Sequence, residues 1–250
     1  ALVTLEVIQY RSGLRSDIEP LTDLVRKHGA LMLWDASHAV GAIEMDFDKN
    51  GVDIAVGCTY KYGNSGPGSP AWLYVNKKVQ AELQVPIQGW FSQGDQFAMG
   101  PNFEKAEGIR GFQIASPSLI GLRCIKSAFG MIEDAGIGAI SEKAAIGTEM
   151  MIQLYDAWLA DLGFTLLTSR NPQERGGHIS LGHPDAARIC VALREFADVI
   201  PDYRTPDSIR LAIAPLPTSY TEVWDGFARI RDLVSSRQYE KIEKTDSRVT

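Results

Sequence analysis

The sequence has 250 residues, of which 45% are hydrophobic and 22% charged, proportions that are ordinary for a globular protein. Its net charge of -6 argues against nucleic acid as a partner, because binding to phosphates needs a basic face. We see neither a secretory signal nor an apolar run near the roughly 20 residues that a membrane-spanning helix needs. Three widely spaced cysteines form no disulfide or metal pattern, so we expect a cytoplasmic protein that binds no membrane.

The first part of the chain alternates short apolar runs with amphipathic segments. Apolar runs predict buried strands over residues 2–10, 30–34, 52–58 and 71–75. Helical spacing of apolar residues predicts a helix over 17–28, and a shorter helix is predicted from residue 77 to 82. Buried strands that alternate with helices predict an α/β sheet with parallel or mixed strands.

The second part of the chain begins with a long segment, residues 88–112, that is rich in Gly, Gln and Phe. It is too long for a simple connection, so we expect it to be functional or interfacial. Helices are predicted over 117–134, 140–162, 185–196 and 221–234, and strands over 165–167, 178–181 and 209–214. This order predicts a smaller α+β domain, with a frayed charged tail after Arg237.

Two ionisable residues follow predicted strands. Asp35 comes directly after residues 30–34, and Lys61 lies in TYKYGNSGPG after residues 52–58. Ligands of α/β sheets collect at the carboxyl ends of the strands, where both residues are expected. A desolvated lysine forms Schiff bases, and a carboxylate keeps the pyridine nitrogen of pyridoxal phosphate (PLP) protonated. The pair indicates a PLP site, although alone each residue fits a solvated loop lysine or a helix N-cap.

Four further residues are candidates with ordinary alternatives. His38 lies three residues after Asp35 without a third metal ligand, so we expect it to contact a cofactor or pack in the core. Tyr60 either donates to a phosphate or packs. Arg210 lies in the apolar run SIRLAIAP, and a buried arginine needs an anionic partner. The partner is either an internal Asp or Glu or a substrate carboxylate. Spacing favours the internal ion pair. For Trp90, in GWF, ordinary packing is favoured.

Five segments resemble the kynureninase family, PLP-dependent enzymes of the class V aminotransferase fold, and they occur in the same order. They are WDASHAVGA, GCTYKYGNSGPGSPAWLYV, GWFSQGDQFAMGPNFE, RGGHISLGHPDA and PDYRTPDSIRLAIAPLPTSYTEVWD. The resemblance runs from about Ala1 to about Leu233. It implies PLP fold type I, with a mixed, mostly parallel sheet and helices on both faces over residues 1–130. A small C-terminal α+β domain would follow over residues 131–250.

The resemblance implies the chemical role of three residues by position. Lys61 would be the catalytic residue, which forms the Schiff base with PLP and moves the substrate's proton. Asp35 would pair with the pyridinium nitrogen. His38 would lie beside the ring, near its 3-oxygen.

The resemblance also implies binding roles for four residues and a homodimer in which two subunits share each active site. Tyr60 would bind the cofactor phosphate. Trp90 and Ser116 would reach the phosphate region of the neighbouring subunit's site, although the family has Thr or Asn where Ser116 stands. Arg210 would bind the α-carboxylate of the small-molecule substrate.

The implied reaction is the hydrolysis of L-kynurenine, or 3-hydroxykynurenine, to anthranilate, or 3-hydroxyanthranilate, and L-alanine in tryptophan catabolism. Family members carry an N-terminal portion with a phosphate-binding Ser/Thr pair, a ring-stacking aromatic residue and a further aspartate. These features have no match here. The resemblance therefore implies the C-terminal two-thirds of an enzyme, and we expect this chain alone to bind PLP weakly and to be poorly active.

Two alternatives stay open. The first is another enzyme of the same fold, a cysteine desulfurase or an aminotransferase. Desulfurases usually have His before the Schiff-base lysine, where this chain has Tyr60, and a catalytic cysteine on a mobile loop. Here Cys58 is predicted in a strand, and Cys124 and Cys190 in helices as buried, inert thiols. The second alternative is an inactive fragment that serves only as a binding subunit, against which the retained candidate residues argue.

Overall fold

The computed structural model describes residues 1–244, which form two compact units. The first unit comprises residues 1–7, 17–37 and 45–131. The second unit comprises residues 8–16, 38–44 and the chain from residue 132 onward. The predicted roles of residues 1–130 as the cofactor domain and 131–250 as the small domain stay a prediction.

The first unit contains a four-stranded sheet. Its strands, in spatial order, are β1 (Leu2–Glu6), β2 (Leu31–Asp35), β3 (Ile54–Gly57) and β4 (Trp72–Val75). The β1–β2 and β2–β3 pairs are parallel, and β4 runs antiparallel to β3. Trp34 is fully buried and its indole Nε1 donates to Thr22 Oγ1 at 2.9 Å. The mixed, mostly parallel sheet is therefore confirmed.

The first unit also contains helices, in the chain order that was predicted. They are α1 (Ile18–Lys27), α2 (Lys77–Gln80) and the start of α3 (Leu119–Ala135). The long segment 88–112 contains two 3₁₀ turns, Trp90–Ser92 and Gly108–Phe112. Glycines and polar residues in that segment prevent a continuous apolar stripe, so it forms no longer helix.

The second unit contains an antiparallel sheet of its own. Its strands, in spatial order, are β5 (Thr165–Leu166), β6 (His178–Gly182), β8 (Ser208–Ala212) and β7 (Asp202–Arg204). The helices are α4 (Ile137–Leu154), α5 (Ala186–Phe196) and α6 (Tyr220–Ser235). One sheet face contributes Ile179, Leu181, Ile209 and Leu211 to a core shared with helix residues such as Leu193 and Phe227. The unit has the α+β architecture expected of the small domain.

Several local predictions need correction. The predicted helix over 140–162 begins at Ile137 and ends as an α-helix at Leu154. A π turn (Tyr155–Leu159) and a 3₁₀ turn (Ala160–Leu162) follow it. Strand β7 was not predicted, because its three residues Asp-Tyr-Arg carry no apolar run.

The expectation of a frayed tail after Arg237 is wrong for the residues that are described. Residues Gln238–Lys241 form a 3₁₀ turn, and the ring of Tyr239 is buried in the core of the second unit. That apolar contact outweighs the charge of the segment. Residues 245–250 lie outside the described part of the chain. No helix within residues 1–244 is both long and apolar enough to cross a bilayer.

The cysteines only partly follow their predicted placement. Cys190 is buried in α5, and burial raises the pKa of its thiol to about 12, so this cysteine is inert as expected. Cys124 is exposed on α3, which corrects the expectation that it is buried. Cys58 follows β3 rather than lying in it.

Candidate active site

The carboxyl ends of β2 and β3 form one edge of the first sheet. The backbone N–H of Ala36 donates to the carbonyl of Val56 at 2.8 Å, and the N–H of Cys58 donates to Ser37 Oγ at 3.3 Å. These bonds hold the segments that follow the two parallel strands side by side. Asp35 and the turn that contains Lys61 therefore lie at the same sheet edge, as their positions after two strands predicted.

Asp35 is the last residue of β2 and is half-buried. Its Oδ1 accepts a hydrogen bond from the backbone N–H of Ser37 at 2.8 Å, and its carbonyl accepts one from Val7 at 2.8 Å. The backbone and the carboxylate are thus both held in place. This contact turns the chain sharply after the strand, and no α-helix starts here, so the helix N-cap interpretation is wrong.

The turn that carries Lys61 is tied together by its own hydrogen bonds. Thr59 Oγ1 donates to the carbonyl of Pro70 at 2.8 Å, and Asn64 N–H donates to the carbonyl of Lys61 at 3.0 Å. A Cβ on Gly63 would lie 2.4 Å from the Thr59 carbonyl, so only glycine permits this close approach. Lys61 is half-buried on this turn, and its proposed role stays a prediction.

Tyr60 and Trp90 both present aromatic rings to solvent. The Tyr60 side chain is about half exposed, and Lys61 Nζ lies 6.0 Å from the centre of its ring. Trp90 is also about half exposed. Its indole Nε1 donates to the carbonyl of Gln96 at 2.7 Å, and its ring packs edge-on against Phe91. Packing thus orients Trp90 without burying it.

Ser116 is exposed in the segment that precedes α3. It lies in the first unit, as do Asp35, Tyr60, Lys61 and Trp90. The structure therefore places five of the seven candidate residues in this unit. His38 and Arg210 belong to the second unit.

Arg210 lies on β8 with its side chain 9% exposed. Its Nε and Nη2 donate to Asp202 Oδ2 at 3.2 and 2.5 Å, and its Nη1 donates to the carbonyl of Tyr10 at 2.7 Å. The internal ion pair that the sequence favoured is therefore confirmed. A guanidinium has five N–H donors, and these three bonds leave one donor on each terminal nitrogen.

His38 lies beside a second histidine that the sequence reasoning did not single out. The ring centres of His38 and His178 are 5.4 Å apart, with the planes tilted by 58°. His178 is 1% exposed, and the backbone of Gln9 is its hydrogen-bonding neighbour. Burial first, and then the nearby charge of Arg210, lowers the pKa of His178 to about 3. The available signal was a polar residue in the apolar pattern of strand 178–181.

The described residues contain no group of three or more His, Cys, Asp or Glu side chains that could hold a metal ion. The first unit instead offers a lysine and a carboxylate, Lys61 and Asp35. The second unit offers an arginine and two histidines, Arg210, His38 and His178. The first pair suits a carbonyl cofactor with a basic ring nitrogen, and the second group suits an anion.

Comparison with known proteins shows which family this chain resembles. Residues 140–230 match the kynureninase C-terminal domain. The chain is 40% identical to kynureninase from Geobacillus thermodenitrificans over 243 residues, which are 96% of this chain and 56% of that protein. The chain is therefore similar to the kynureninases over nearly all of its own length. Kynureninase from Pseudomonas fluorescens is 32% identical over 97% of this chain and 58% of its own length. The chain thus spans a little over half the length of these relatives.

Solved structures confirm the fold class. A cysteine desulfurase from Thermococcus onnurineus matches with a TM-score of 0.77 and 18% identity, over 94% of this chain and 60% of that chain. An alanine–glyoxylate aminotransferase from Nostoc matches with a TM-score of 0.71 and 14% identity, over 94% and 62% of the two chains. At such low identity the likeness concerns the fold alone. The α/β fold that the kynureninase resemblance implied is therefore present.

Proposed function

We propose that this chain carries cofactor-binding and substrate-binding residues of a PLP-dependent hydrolase, which cleaves L-kynurenine or 3-hydroxykynurenine. The products are anthranilate, or its 3-hydroxy form, and L-alanine. The supporting observation is that hydrogen bonds between the segments after β2 and β3 hold Asp35 and the Lys61 turn at one sheet edge. The proposal includes residues 1–130 as the cofactor domain and 131–250 as the small domain.

The residues at this edge fit PLP. Lys61 offers an amine for the carbonyl of the cofactor, and Asp35 offers an acid for its ring nitrogen. In the Lys61 turn the hydroxyl of Ser65 is buried without a hydrogen-bond partner among the described residues, so the turn retains an unused donor. When bound, PLP draws electrons from the α-carbon of an amino acid substrate.

Asp35 and Lys61 perform the proton chemistry in this proposal. The carboxylate of Asp35 keeps the ring nitrogen of the cofactor protonated, and its bond to Ser37 N–H fixes its direction. Lys61 holds the cofactor and removes the proton from the substrate's α-carbon. The packed turn keeps its amine in place, since precise positioning accounts for much of the rate gain in such reactions.

Binding roles are proposed for the other candidates. Tyr60 donates its exposed hydroxyl to the cofactor phosphate, and His38 contacts the ring near its 3-oxygen. Trp90 and Ser116 are exposed, which supports a role at the site of a neighbouring subunit.

Arg210 is proposed to bind the substrate's α-carboxylate. Asp202 holds the Nε and Nη2 atoms of the guanidinium, and one donor on each terminal nitrogen is left. Two N–H groups in this arrangement match the two oxygens of a carboxylate. An internal ion pair and a substrate contact are therefore compatible at the same arginine.

Release of anthranilate from L-kynurenine by the purified protein, supplied with PLP, tests the proposal. We expect release that falls by at least about 100-fold in Lys61→Ala, because the proton-moving group is removed. Lys77→Ala is the matched control, since Lys77 is exposed on α2 and lies away from the turn. Equal release from the wild type and from Lys61→Ala would contradict the proposal.

Cysteine desulfurase is the second candidate, because the fold is shared with such enzymes and Cys58 lies at the same sheet edge as Asp35. The Cys58 thiol contacts the carbonyl of Ser37 at 3.6 Å and is part of the packed strand end, whereas a sulfur carrier must move. We therefore expect no sulfide release from L-cysteine. Release that depends on Cys58 would favour the desulfurase.

A further inference from the structure

The segment between β3 and β4 carries Lys61. The two strands pair antiparallel, and the last pair of their ladder is Gly57 opposite Trp72. Two more steps in the same register bring Thr59 opposite Pro70. A proline has no N–H, so Pro70 cannot donate the backbone hydrogen bond that would continue the ladder. The ladder therefore stops before the turn that contains Lys61.

The side chain of Thr59 takes the place of the missing backbone bond. Its Oγ1 donates to the carbonyl of Pro70 at 2.8 Å, and the residue is only 2% exposed. A buried hydrogen bond of this kind does not compete with bulk water, so it holds its two partners more firmly than an exposed one. The hydroxyl thus closes the loop from Thr59 to Pro70 at the point where the sheet ends.

The backbone carbonyl of Thr59 is left out of the ladder and binds inside the Lys61 turn. It accepts the N–H of Ser65 at 3.2 Å. Gly63 lies so close to the same carbonyl that a Cβ there would approach it to 2.4 Å. Thr59 therefore makes two bonds, one through its side chain and one through its carbonyl, and together they fix both ends of the turn around Lys61.

Bonds inside the turn hold the backbone of Lys61 in one conformation. The N–H of Asn64 donates to the carbonyl of Lys61 at 3.0 Å, and Asn64 Nδ2 donates to the carbonyl of Tyr62 at 2.6 Å. Asn64 has φ +55°, a conformation that a residue other than glycine keeps only where its surroundings fix it. The Ser69 hydroxyl donates to the carbonyl of Ser65 at 2.6 Å. These bonds fix Lys61 as long as the two ends of the turn stay together.

We propose that Thr59 is a positioning residue for Lys61, whose hydroxyl joins the two ends of the turn and so keeps the Lys61 amine in place at the sheet edge. The inference rests on the proposed function, in which Lys61 binds the carbonyl of PLP. Thr59 acts through the turn, and no contact with the cofactor is assigned to it. Valine has nearly the shape of threonine without the donor, and serine keeps the donor. The two substitutions therefore separate the hydrogen bond from the packing.

The test compares the wild type with Thr59→Val and Thr59→Ser. Each purified protein is incubated with limiting PLP and reduced with borohydride, and the pyridoxyl label on Lys61 is measured by mass spectrometry relative to that on the exposed Lys77. We expect the ratio of Lys61 label to Lys77 label to fall about 5-fold in Thr59→Val, as the loss of one hydrogen bond does. Thr59→Ser keeps the donor and is expected to retain most of the wild-type ratio.

Thr22→Val is the matched control for a general loss of stability. Thr22 is also fully buried in the first unit, and its Oγ1 accepts the indole N–H of Trp34 at 2.9 Å. Successive side chains of a strand point to opposite faces, so this bond lies on the face away from Asp35. We expect Thr22→Val to lower the urea midpoint at least as much as Thr59→Val does and to leave the labelling ratio unchanged.

Amide hydrogen exchange, measured on the same preparations, tests the closed turn without PLP. We expect the Asn64 and Ser65 amides to be protected in the wild type and to exchange about 5-fold faster in Thr59→Val. A Ser65 amide that exchanges in the wild type as fast as in an unfolded chain would overturn the proposal, even if Thr59→Val does not fold.

The labelling ratios decide the role of Thr59 toward Lys61. A ratio that is unchanged in Thr59→Val, or that falls equally in Thr22→Val, would overturn the proposal. The failure of the proposed function is a different result, in which Lys61 of the wild type takes up no label. Faster exchange in Thr59→Val would then reject Lys61 as the cofactor anchor and leave the closure of the turn by Thr59 standing.

Discussion

Position within the fold gives individual residues their proposed chemistry. Lys61 and Asp35 are common residue types, and only the bonds between the segments after β2 and β3 bring them to one edge. Arg210 is likewise a common residue type, and its contacts with Asp202 and the Tyr10 carbonyl fix three of its donors. The remaining donors then point to an anion as its second partner.

The buried His178 predicts a pH dependence of stability. Its pKa is about 3 in the folded state against 6.5 for an ordinary histidine. Burial and the neighbouring Arg210 and His38 lower it, and a backbone hydrogen bond to Gln9 and the charge of Asp202 oppose them. As pH falls below 6.5, the unfolded chain takes up a proton that the folded chain does not. The free energy of unfolding therefore falls by about 1.4 kcal/mol per pH unit from this group, and its full stability is present above pH 6.5.

Urea unfolding of wild type and His178→Phe over this pH range measures the effect. As pH falls, we expect the free energy of unfolding of the variant to decrease less steeply than that of the wild type, by about 1.4 kcal/mol per pH unit. His183, whose pKa burial also lowers, is present in both proteins and cancels in the comparison. Parallel curves for the two proteins would show that His178 is accessible or charged in the folded state.

Gly13 predicts a second effect at the residue scale. Gly13→Ala puts a Cβ 2.7 Å from the His178 carbonyl on a backbone with φ +74°, so both the contact and the conformation are strained. We expect the free energy of unfolding to fall by about 1–3 kcal/mol. Gly138→Ala is the control, because a Cβ there meets nothing within 4 Å and the residue lies in α4. Equal stability of Gly13→Ala and wild type would mean that this turn is not fixed.

Among the elements, buried side chains hold the strand ends in place. Arg175, whose side chain is fully buried, precedes β6. Its Nε donates to Thr148 Oγ1 at 3.0 Å, its Nη2 to Glu149 Oε2 at 2.6 Å, and its Nη1 to the Arg170 carbonyl at 2.6 Å. This arginine ties the loop before β6 to α4, and so it sets where His178 enters the sheet.

Arg175→Met tests this connection. The substitution leaves a buried hydroxyl and a carbonyl without their donor, so we expect a loss of about 2–4 kcal/mol in the free energy of unfolding. Arg170→Met is the matched control, since the Arg170–Asp156 pair is exposed and is expected to contribute less than about 1 kcal/mol. The two variants are compared by their urea midpoints. Similar losses in both would contradict the account.

Sequence patterns predicted the elements better than the contacts among them. The apolar runs of β2, β3, β6 and β8 and the periodicity of α1, α5 and α6 were recognisable, because each buries a continuous stripe. Strand β7 is three residues long and gains its place by pairing with β8, which no local pattern shows. His178 was missed for a related reason, since its burial depends on the register with β8 and on the turn at Gly13.

For the whole molecule, one feature that the proposed site does not explain is a set of exposed apolar side chains in the first unit. Exposed side chains between residues 87 and 120 include Ile87, Phe97, Met99, Leu119 and Ile120, and the last four are each more than 75% exposed. Single exposed apolar residues are normal, but a concentration of them marks an interaction surface. We propose that this surface forms the contact of a homodimer.

Ile120→Glu tests the dimer proposal by sedimentation velocity. A charge at a position that is 81% exposed in the single chain would be buried in the dimer, so we expect the variant to sediment as a monomer. Ile200→Glu, at 84% exposure in the second unit, is the control and is expected to remain dimeric. A monomeric wild type, or a dimeric Ile120→Glu, would contradict the proposal.

The anchoring of the cofactor by Lys61 is the central claim, and chemical trapping tests it most directly. The purified protein is incubated with PLP, reduced with borohydride, digested and analysed by mass spectrometry for the lysine that carries the pyridoxyl group. The account predicts modification of Lys61, with none at the exposed Lys77 and Lys78 under the same conditions. Modification of other lysines while Lys61 stays free would contradict it.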